Sequence, residues 1–483
     1  MGCTTILVGK HASYDGSTLM ARNEDSGAGS FAPKKMIVVR PEEQVRHYVS
    51  VISKVEIDLP DDPLRYTAVP NALADEGIWG EAGINSCHVA MTETETITSN
   101  ARVLGSDPLV KTGIGEEDLL TITLPYIRSA REGVLRLGKL LDTYGTYEMN
   151  GIGFQDVDEI WWMETIGGHH WIAKRVPDNA YAVVPNQQGI DRLDLRDAFG
   201  EKKDNLCSDD LLSFIRAHHL DRRMTDLPLE EDTAFDVRAV FGSRDDADHT
   251  YNTPRAWTME KFLNPTTYVW EGEHADFRPH SDNLPWCLVP EKKITVEDIK
   301  YVLSDHFQGT VYDPYAHHGE ASHRGQFRPI GVNRNNMLAL TQIRPYMPGA
   351  YRDIQWIAMG SNVFNAMIPL YTAVEDMPAY LRDTGKEVST DNCYWANRLL
   401  AVMADAHFQQ CASPIERYQN RVHALAHEML ERSDCDLASG SITCAQANQA
   451  MADMFQEATQ EALQQVLFTA SLGMKNAFAR SDA

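Results

Sequence analysis

The sequence predicts an α+β fold with a helical appendage at its C-terminus, and three observations support this prediction. Short runs of β-branched and apolar residues, bounded by turn signals, occur early in the chain. Helical patterns are interspersed among these runs. From about residue 400 onward the chain is rich in Ala, Gln and Met with helical spacing. Early strands, interspersed helices and a helical tail are typical of an α+β architecture.

The first two predicted strands form a hairpin. Residues 4–10 and 17–23 read as strands, and Tyr14-Asp15-Gly16 between them is a turn signal. A hairpin centred there brings Asp25 back to within roughly 10 Å of Cys3, at ~3.3 Å of rise per residue. The side chain's face is not predictable, because a single bulge would reverse it.

Further elements follow along the chain. We predict a tight turn followed by an alternating strand in residues 81–97 and antiparallel strands in 153–165, 169–176 and 181–186. Residues 352–374 are predicted to form two more strands around a Gly-Ser-Asn turn. Residues 116–143 are predicted to be helical with a break at Pro125. Two helix starts are predicted from capping patterns: Thr295 with Asp298, for a helix to about Phe307, and Ser413-Pro414 with Glu416.

Composition excludes several classes of protein. The chain has 483 residues and a formal net charge of −25, which argues against a nucleic-acid or anionic-membrane partner. No run approaches the ~20 apolar residues of a membrane-spanning helix, and no secretory signal is visible. Eight cysteines are scattered without CxxC pairs, a pattern typical of a reducing compartment. We therefore expect a cytoplasmic protein.

Motifs for cofactors and metals are missing or incomplete. A P-loop, a dinucleotide fingerprint and a G-x-S-x-G elbow are all absent. His423 and His427 lack the glutamate of a zincin motif, and an amphipathic helix explains them better. A second group crowds a polar loop, which is a poor preorganised metal site: His317, His318, Glu320 and His323, with His306 upstream. We expect neither a cofactor nor a metal.

Cys3 is the most informative residue, and three interpretations compete for it. A myristoylation signal would need Ser or Thr at position 6, where the chain has Ile6. An ordinary cysteine in a buried strand is the second interpretation. In the third, Cys3 becomes the N-terminal residue, so that its thiol attacks a carbonyl and its α-amine accepts the proton. Arg22 would then lower the thiol pKa, and Asp25 would orient the α-amine.

Motifs beyond the N-terminus add a family resemblance. The start CTTILVGKHASYDGSTLMARNED resembles the N-terminus of the family C69 dipeptidases, which are N-terminal-nucleophile hydrolases related to penicillin V acylase and bile salt hydrolase. Five further stretches match this family in order: GINSCHVAMTETETI, DEIWWMETIGGHHWIAKRVPD, VVPNQQGID, YNTPRAW and PEKKITVEDIKYVLSDHFQGT. The resemblance covers roughly residues 3–375 and implies a four-layer αββα sandwich.

The resemblance also implies roles for individual residues. Cys3 matches the nucleophile, and Arg22 and Asp25 match the arginine and aspartate that flank it. Asn186 matches an asparagine of the oxyanion hole, and Arg255 a late arginine of the catalytic network. A second oxyanion donor would fall near Thr92 or Glu93, where the match is loose because Cys87-His88 departs from the usual small residues.

The implied function is a cysteine-type dipeptidase that hydrolyses short peptides through a thioester on Cys3. Residues 1–2 would be a short propeptide, residues 3–400 the catalytic domain and residues 401–483 a helical C-terminal extension. Two alternatives stay open: an N-acyl amide hydrolase like the acylase relatives, and a non-catalytic interaction protein like the secernins. No cofactor is implied, and the helical tail and acidic surface suggest a homo-oligomer.

Overall fold

The structure is a computed structural model that describes residues 2–27, 29–73, 77–94 and 96–474, with the backbone alone for Glu93 and Thr94. In chain order the strands are β1 (Gly2–Val8), β2 (Thr18–Asp25), β3 (Ile37–Val39), β4 (His47–Val49), β5 (Glu56–Asp58), β6 (Tyr66–Ala68), β7 (Ala82–Ile84), β8 (Ala90–Thr94), β9 (Gly151–Gln155), β10 (Ile160–Thr165), β11 (Trp171–Arg175), β12 (Tyr181–Val184), β13 (Arg192–Leu193), β14 (Asn205–Cys207), β15 (Phe235–Asp236), β16 (Cys287–Leu288), β17 (Asn335–Ile343), β18 (Asp353–Met359) and β19 (Ile368–Tyr371).

Helices connect and cover these strands. They are α1 (Ala101–Ser106), α2 (Glu116–Thr123), α3 (Ala130–Tyr144), α4 (Leu195–Phe199), α5 (Leu211–Ala217), α6 (Val237–Phe241), α7 (Thr253–Leu263), α8 (Val296–Val302), α9 (Ala379–Arg382), α10 (Cys393–Asp405), α11 (Phe408–Ser439) and α12 (Cys444–Leu472). None of the helices in the described ranges is long and apolar enough to cross a membrane.

Two antiparallel sheets form the centre of the fold. The larger has seven strands in the order β16-β12-β1-β2-β17-β18-β19, and the smaller has six in the order β14-β11-β10-β9-β8-β7. Leu7 and Met20 of the larger sheet share a buried cluster with Ala90 and Trp162 of the smaller, so the two sheets pack face to face. Gly153 is required there, because a Cβ at this position would collide with the Met20 sulfur.

Helices cover both outer faces. Ile6 and Trp356 on the larger sheet pack in one cluster with residues of α7, α8 and α10–α12. Met91 and Phe154 on the smaller sheet pack against α2 and α3. The layers therefore run helix, sheet, sheet, helix, which confirms the αββα prediction.

The predicted N-terminal hairpin is confirmed. β1 and β2 pair antiparallel from Val8↔Leu19 to Gly2↔Asp25. The connecting turn is closed by Asp15, whose carboxylate accepts hydrogen bonds from the Ser17 amide at 3.0 Å and the Ser17 hydroxyl at 2.9 Å. Because β1 and β2 lie in the interior of the sheet, every residue of both strands is buried.

The C-terminal segment is helical as predicted, but the predicted helix start at Ser413 is wrong. α11 begins at Phe408, so Ser413 is not an N-cap and Pro414 lies inside the helix. Pro414 is the seventh residue of α11, beyond the four N-terminal N–H groups that lack intrahelical partners, so it removes one backbone hydrogen bond from the helix. The capping box of Thr295 and Asp298 is confirmed, although α8 ends at Val302. The boundary at residue 400 stays a prediction, and that residue lies within α10.

One link between the helical layers is pH-dependent. His427 of α11 lies 2.6 Å from the Glu297 carboxylate of α8, and this hydrogen bond raises the pKa of His427 above its ordinary value. The ion pair therefore stabilises the fold fully below the unfolded-state pKa of ~6.5, and this stabilisation is lost as pH rises through the higher folded-state pKa.

We predict that His427→Gln lowers the free energy of unfolding by up to ~1 kcal/mol at pH 6, because the pair is partly exposed, and by less at pH 8.5. Urea denaturation at both pH values measures the difference. Glu428→Gln, the exposed neighbour on α11, serves as control and should show no such pH dependence. An equal effect of His427→Gln at both pH values would contradict the assignment.

Candidate active site

Cys3 lies between two strands that supply its neighbours. On one side β2 pairs with β1, so that Cys3 is opposite Glu24 and Thr5 is opposite Arg22. Directly opposed residues project to the same face of a sheet, so Arg22 shares a face with Thr5. Residues two apart in a strand also share a face, which puts Cys3 and Leu7 on that side, toward the smaller sheet. On the other side the β1–β12 register ends at Thr5↔Val184, and its continuation brings Asn186 opposite Cys3.

The sulfur of Cys3 is held by an arginine. Arg22 Nη2 lies 2.7 Å from Cys3 Sγ and also donates to Glu116 Oε1 at 3.0 Å. Its other terminal nitrogen, Nη1, pairs with Glu81 Oε2 at 2.8 Å. All four side chains are buried. Arg22 is thus balanced by two carboxylates and is oriented toward the thiol.

The surroundings of the thiol nevertheless oppose its ionisation. Burial raises the pKa of Cys3 far above its ordinary value, Arg22 acts in the opposite direction, and Glu116 and Glu81 add to the rise. Arg22 thus lowers the thiol pKa, as expected, but burial outweighs its effect in the chain with Gly2 in place. A thiol in this state needs a base to become a nucleophile.

The backbone of Cys3 has separate partners. Its amide nitrogen donates to Asn186 Oδ1 at 3.0 Å, and its carbonyl accepts from Arg255 Nη1. Arg255 Nη2 also donates to Asn186 Oδ1, at 2.8 Å, and Nη1 donates to the Thr4 hydroxyl at 2.7 Å. With two donors on Oδ1, the Asn186 amide nitrogen must be the donating end of the side chain. Burial, then the nearby Arg328, lowers the pKa of Arg255 to about 9.

Asp25 lies on the opposite face from the sulfur. It pairs with Gly2, and its carboxylate accepts from Arg328 Nη2 and Asn335 Nδ2. The partner of the Cys3 nitrogen is thus Asn186, while the role of Asp25 in orienting a free α-amine stays a prediction. All five residues expected at the site, Cys3, Arg22, Asp25, Asn186 and Arg255, are brought together around the start of β1.

Gly2 fills a narrow space beside these groups. A Cβ at position 2 would collide with the Tyr251 hydroxyl and lie 2.8 Å from Arg328 Nη2. The Tyr251 ring lies between two guanidinium groups, at 5.0 Å from Arg255 and 4.9 Å from Arg328. Although burial alone would raise the pKa of Tyr251, Arg328 and Arg255 lower it below its ordinary value.

The expected second oxyanion donor is not resolved to one residue. The hydroxyl of Thr92 donates to the carbonyl of Glu81, the residue before β7, at 3.0 Å, and this hydrogen bond fixes the Thr92 side chain. Glu93 is described by its backbone alone, in β8 opposite Ile152. The assignment to either residue stays a prediction.

Sequence reasoning missed an ionic network behind the site. Lys34 Nζ binds Glu24 Oε2 at 3.1 Å and Glu81 Oε1 at 3.0 Å, and Glu81 connects it to Arg22. These side chains come from β2 and from segments before β3 and β7, so no local spacing relates them. The one signal for these residues in the sequence was that charged residues stand beside apolar ones. Burial raises the pKa of Glu24 to about 7, whereas Glu24 and Glu81 more than offset burial and raise that of Lys34.

The histidine groups have protein partners. His306 Nδ1 lies 2.9 Å from the Asp313 carboxylate, and His423 accepts a hydrogen bond from the Met367 amide at 3.4 Å. Within the described ranges, no group of three or more His, Cys, Asp and Glu side chains is arranged to hold a metal ion.

Comparison with known proteins identifies the family. The sequence model named Peptidase family C69 matches residues 2–421. The chain belongs to peptidase family C69. It is therefore a peptide hydrolase, with the α+β fold and C-terminal helices described above.

Several C69 relatives match over nearly their full lengths. A protein named dipeptidase from Bifidobacterium longum is 51% identical, with 100% of both chains covered. A probable dipeptidase A from Streptococcus pyogenes serotype M3 is 53% identical with the same coverage. Dipeptidase A from Lactobacillus helveticus is 41% identical over 96% of each chain.

Two solved structures align more remotely with this C69 chain. A conjugated bile acid hydrolase variant from Clostridium perfringens aligns with 9% identity and a TM-score of 0.35, covering 77% of this chain and 92% of its own. Penicillin V acylase from Agrobacterium tumefaciens aligns with 10% identity and a TM-score of 0.34, covering 79% and 89%. Likeness at this level is too low to support a statement about activity.

We predict that Lys34→Met lowers the free energy of unfolding by ~3–5 kcal/mol, because it leaves buried Glu24 without a cation and buried Glu81 with Arg22 alone. Urea denaturation measures this loss. Lys35→Met, at the neighbouring and less buried position, is the control and should stay within ~0.5 kcal/mol of wild type. A Lys34→Met protein as stable as wild type would show that the network does not depend on this charge.

Proposed function

We propose that the mature protein begins at Cys3 and is a dipeptidase whose nucleophile is the Cys3 thiol and whose general base is the Cys3 α-amine. The observation that supports this most strongly is that the two reactive ends of one residue have different partners. Arg22 contacts the sulfur at 2.7 Å, and Asn186 contacts the nitrogen at 3.0 Å. Any buried amide nitrogen needs an acceptor, but a cysteine needed only for packing would not require a buried guanidinium at its sulfur.

Removal of residues 1–2 creates both the base and the space for a substrate. The Cys3 nitrogen is an amide while Gly2 is attached, and an amide cannot accept a proton at neutral pH. The Cys3 side chain is also fully buried in that state. After removal of Met1, the thiol would attack the Gly2 carbonyl, and the Gly2–Cys3 C–N bond would break as the thiol proton passes to the nitrogen. Hydrolysis of the resulting thioester would release glycine, restore the thiol and leave a free α-amine.

The catalytic cycle then repeats the same chemistry on a substrate. The α-amine takes the thiol proton, and the sulfur attacks the scissile carbonyl carbon. The C–N bond breaks, the leaving amine receives the proton, and the acyl group stays on sulfur as a thioester. Water hydrolyses the thioester, releases the second product and restores the thiol.

The neighbouring side chains support these steps by charge. Arg22 stabilises the sulfur as it loses its proton, because a cation favours the thiolate. The Asn186 amide nitrogen donates to the oxyanion, and such a donor typically contributes ~3–4 kcal/mol. Arg255 fixes both Asn186 and the Cys3 carbonyl. Asp25 stabilises the ammonium form of the amine once the proton arrives.

Dipeptides are the proposed substrates because of the relatives. The B. longum and L. helveticus proteins carry dipeptidase names and match along almost the entire chain. An N-acyl amide hydrolase would use the same machinery, so the assay compares both substrate classes.

We predict that wild type hydrolyses a panel of dipeptides, and that Cys3→Ala lowers kcat/KM by at least ~10³-fold by removing the nucleophile. Chromatography of released amino acids, with and without a chelator, measures both. Cys207→Ala, another buried cysteine, is the control and should keep wild-type activity. Activity in Cys3→Ala, loss of activity with chelator, or a clear preference for N-acyl amino acids would each contradict the proposal.

A further inference from the structure

A peptidase limited to dipeptides must recognise the free ends of its substrate. In a dipeptide the α-ammonium nitrogen is two bonds from the scissile carbonyl carbon. With the attacking sulfur ~3 Å from that carbon and a charge-assisted hydrogen bond of ~2.8 Å, a carboxylate that binds the ammonium must lie roughly 5–7 Å from the sulfur. The inference below rests on the proposed function.

Most carboxylates around the nucleophile are already engaged. Both oxygens of Glu81, of Glu24 and of Asp25 have cationic or amide partners within the described ranges. Glu116 differs. Its Oε1 accepts from Arg22, whereas its Oε2 is buried and accepts no hydrogen bond from any residue that the structure describes. The Oε2 atoms of Glu24 and Glu81 accept none either, but they lie 3.1 Å and 2.8 Å from Lys34 and Arg22.

Glu116 also lies at the required distance. Arg22 Nη2 is 2.7 Å from Cys3 Sγ and 3.0 Å from Glu116 Oε1, so Sγ and Oε1 are at most ~5.7 Å apart, and the carboxylate that carries Oε2 is within reach of a substrate ammonium. Glu116 is the first residue of α2, and its own amide is fixed by Glu148 Oε1 at 2.7 Å. The side chain is 1% exposed, so the position of the carboxylate is determined by the fold.

The charge balance favours a cation at this position. Among the described residues of the connected network, Arg22 and Lys34 carry two positive charges, and Glu24, Glu81 and Glu116 carry three potential negative charges. Burial raises the pKa of Glu116 to about 8, so its ionised form lacks sufficient compensation. A substrate ammonium would supply the missing positive charge.

We propose that Glu116 binds the α-ammonium group of the substrate and thereby restricts cleavage to the bond after a free N-terminal residue. The substrate class is then a peptide with an unblocked amino terminus. The arginine shared by Cys3 and Glu116 sets the distance between the carbonyl that reacts and the amine that is recognised.

The test compares two substrates that differ only in the amine, alanyl-alanine and propionyl-alanine. We expect wild type to prefer alanyl-alanine by ~10²–10³-fold in kcat/KM, the usual cost of removing one partner of a buried charge pair. Glu116→Gln should lose this preference, with the ratio falling to within ~10-fold because hydrolysis of alanyl-alanine falls and hydrolysis of propionyl-alanine changes little.

Two variants keep the test decisive. Glu117→Gln removes the next carboxylate of α2, which binds Ser50 and Tyr147, and should keep the wild-type ratio. Glu116→Asp retains the charge and should keep part of the preference, which provides a readout if Glu116→Gln folds poorly. N-terminal mass spectrometry verifies that each variant begins at Cys3.

Several outcomes would overturn the inference. Three results would each show that Glu116 does not bind the substrate ammonium. They are a wild-type ratio of kcat/KM for the two substrates in Glu116→Gln, an equal loss of kcat/KM on both substrates in that variant, and a collapse of the ratio in Glu117→Gln. If Cys3→Ala is inactive while Glu116→Gln keeps the ratio, this inference fails and the proposed function stands. If Cys3→Ala is active, the proposed function itself fails.

Discussion

The burial of Arg22 between a thiol and two carboxylates is the constraint on which the site depends. A guanidinium group without solvent must be paired on every side, and here Cys3, Glu81 and Glu116 surround it. Glu81 in turn requires Lys34, and Lys34 requires Glu24. One buried arginine thus connects β2 to α2 and to the segments before β3 and β7. The sulfur is thus held by a side chain that belongs to a buried ionic network.

The same arrangement couples catalysis to folding. Cys3 lies on an interior strand of the larger sheet, and its partners Asn186 and Arg255 are 183 and 252 residues away in the chain. These contacts exist only when the sheet has formed and α7 has packed against it. Under the proposed maturation, the thiol would therefore meet its base and its oxyanion donor only in the folded protein, which would keep a reactive N-terminal cysteine from acting on other peptides during folding.

Local signals in the sequence predicted much of the framework. The Asp15-Gly16 turn, the helix break at Pro125 and the capping box at Thr295 were each sufficient for the elements beside them. β17 was missed, because its Asn, Gln, Leu and Ala residues carry no strand pattern and only pairing with β2 and β18 determines it. Pro414 misplaced the start of α11, because packing onto the sheet extends that helix beyond its local signal.

The residues of the site were likewise predicted only in part from local sequence. Cys3, Arg22 and Asp25 are adjacent through a hairpin that the sequence predicts, but Asn186 and Arg255 were reached only through the family resemblance. Lys34, Glu81, Glu116 and Arg328 were not anticipated, since charged side chains are usually solvated and only tertiary packing reveals these as buried. The effect of Arg22 on the thiol pKa was foreseen, but the larger and opposite effect of burial was not.

The most direct measurement relates the fraction of chains that begin at Cys3 to the rate of dipeptide hydrolysis. Purified protein would be analysed by intact mass and N-terminal sequencing during maturation, while dipeptide hydrolysis is followed in the same samples. The account predicts that activity rises in proportion to the fraction of chains that start with the cysteine. Full activity in a chain that still carries Gly2 would contradict it, because the amide nitrogen of such a chain cannot serve as the base.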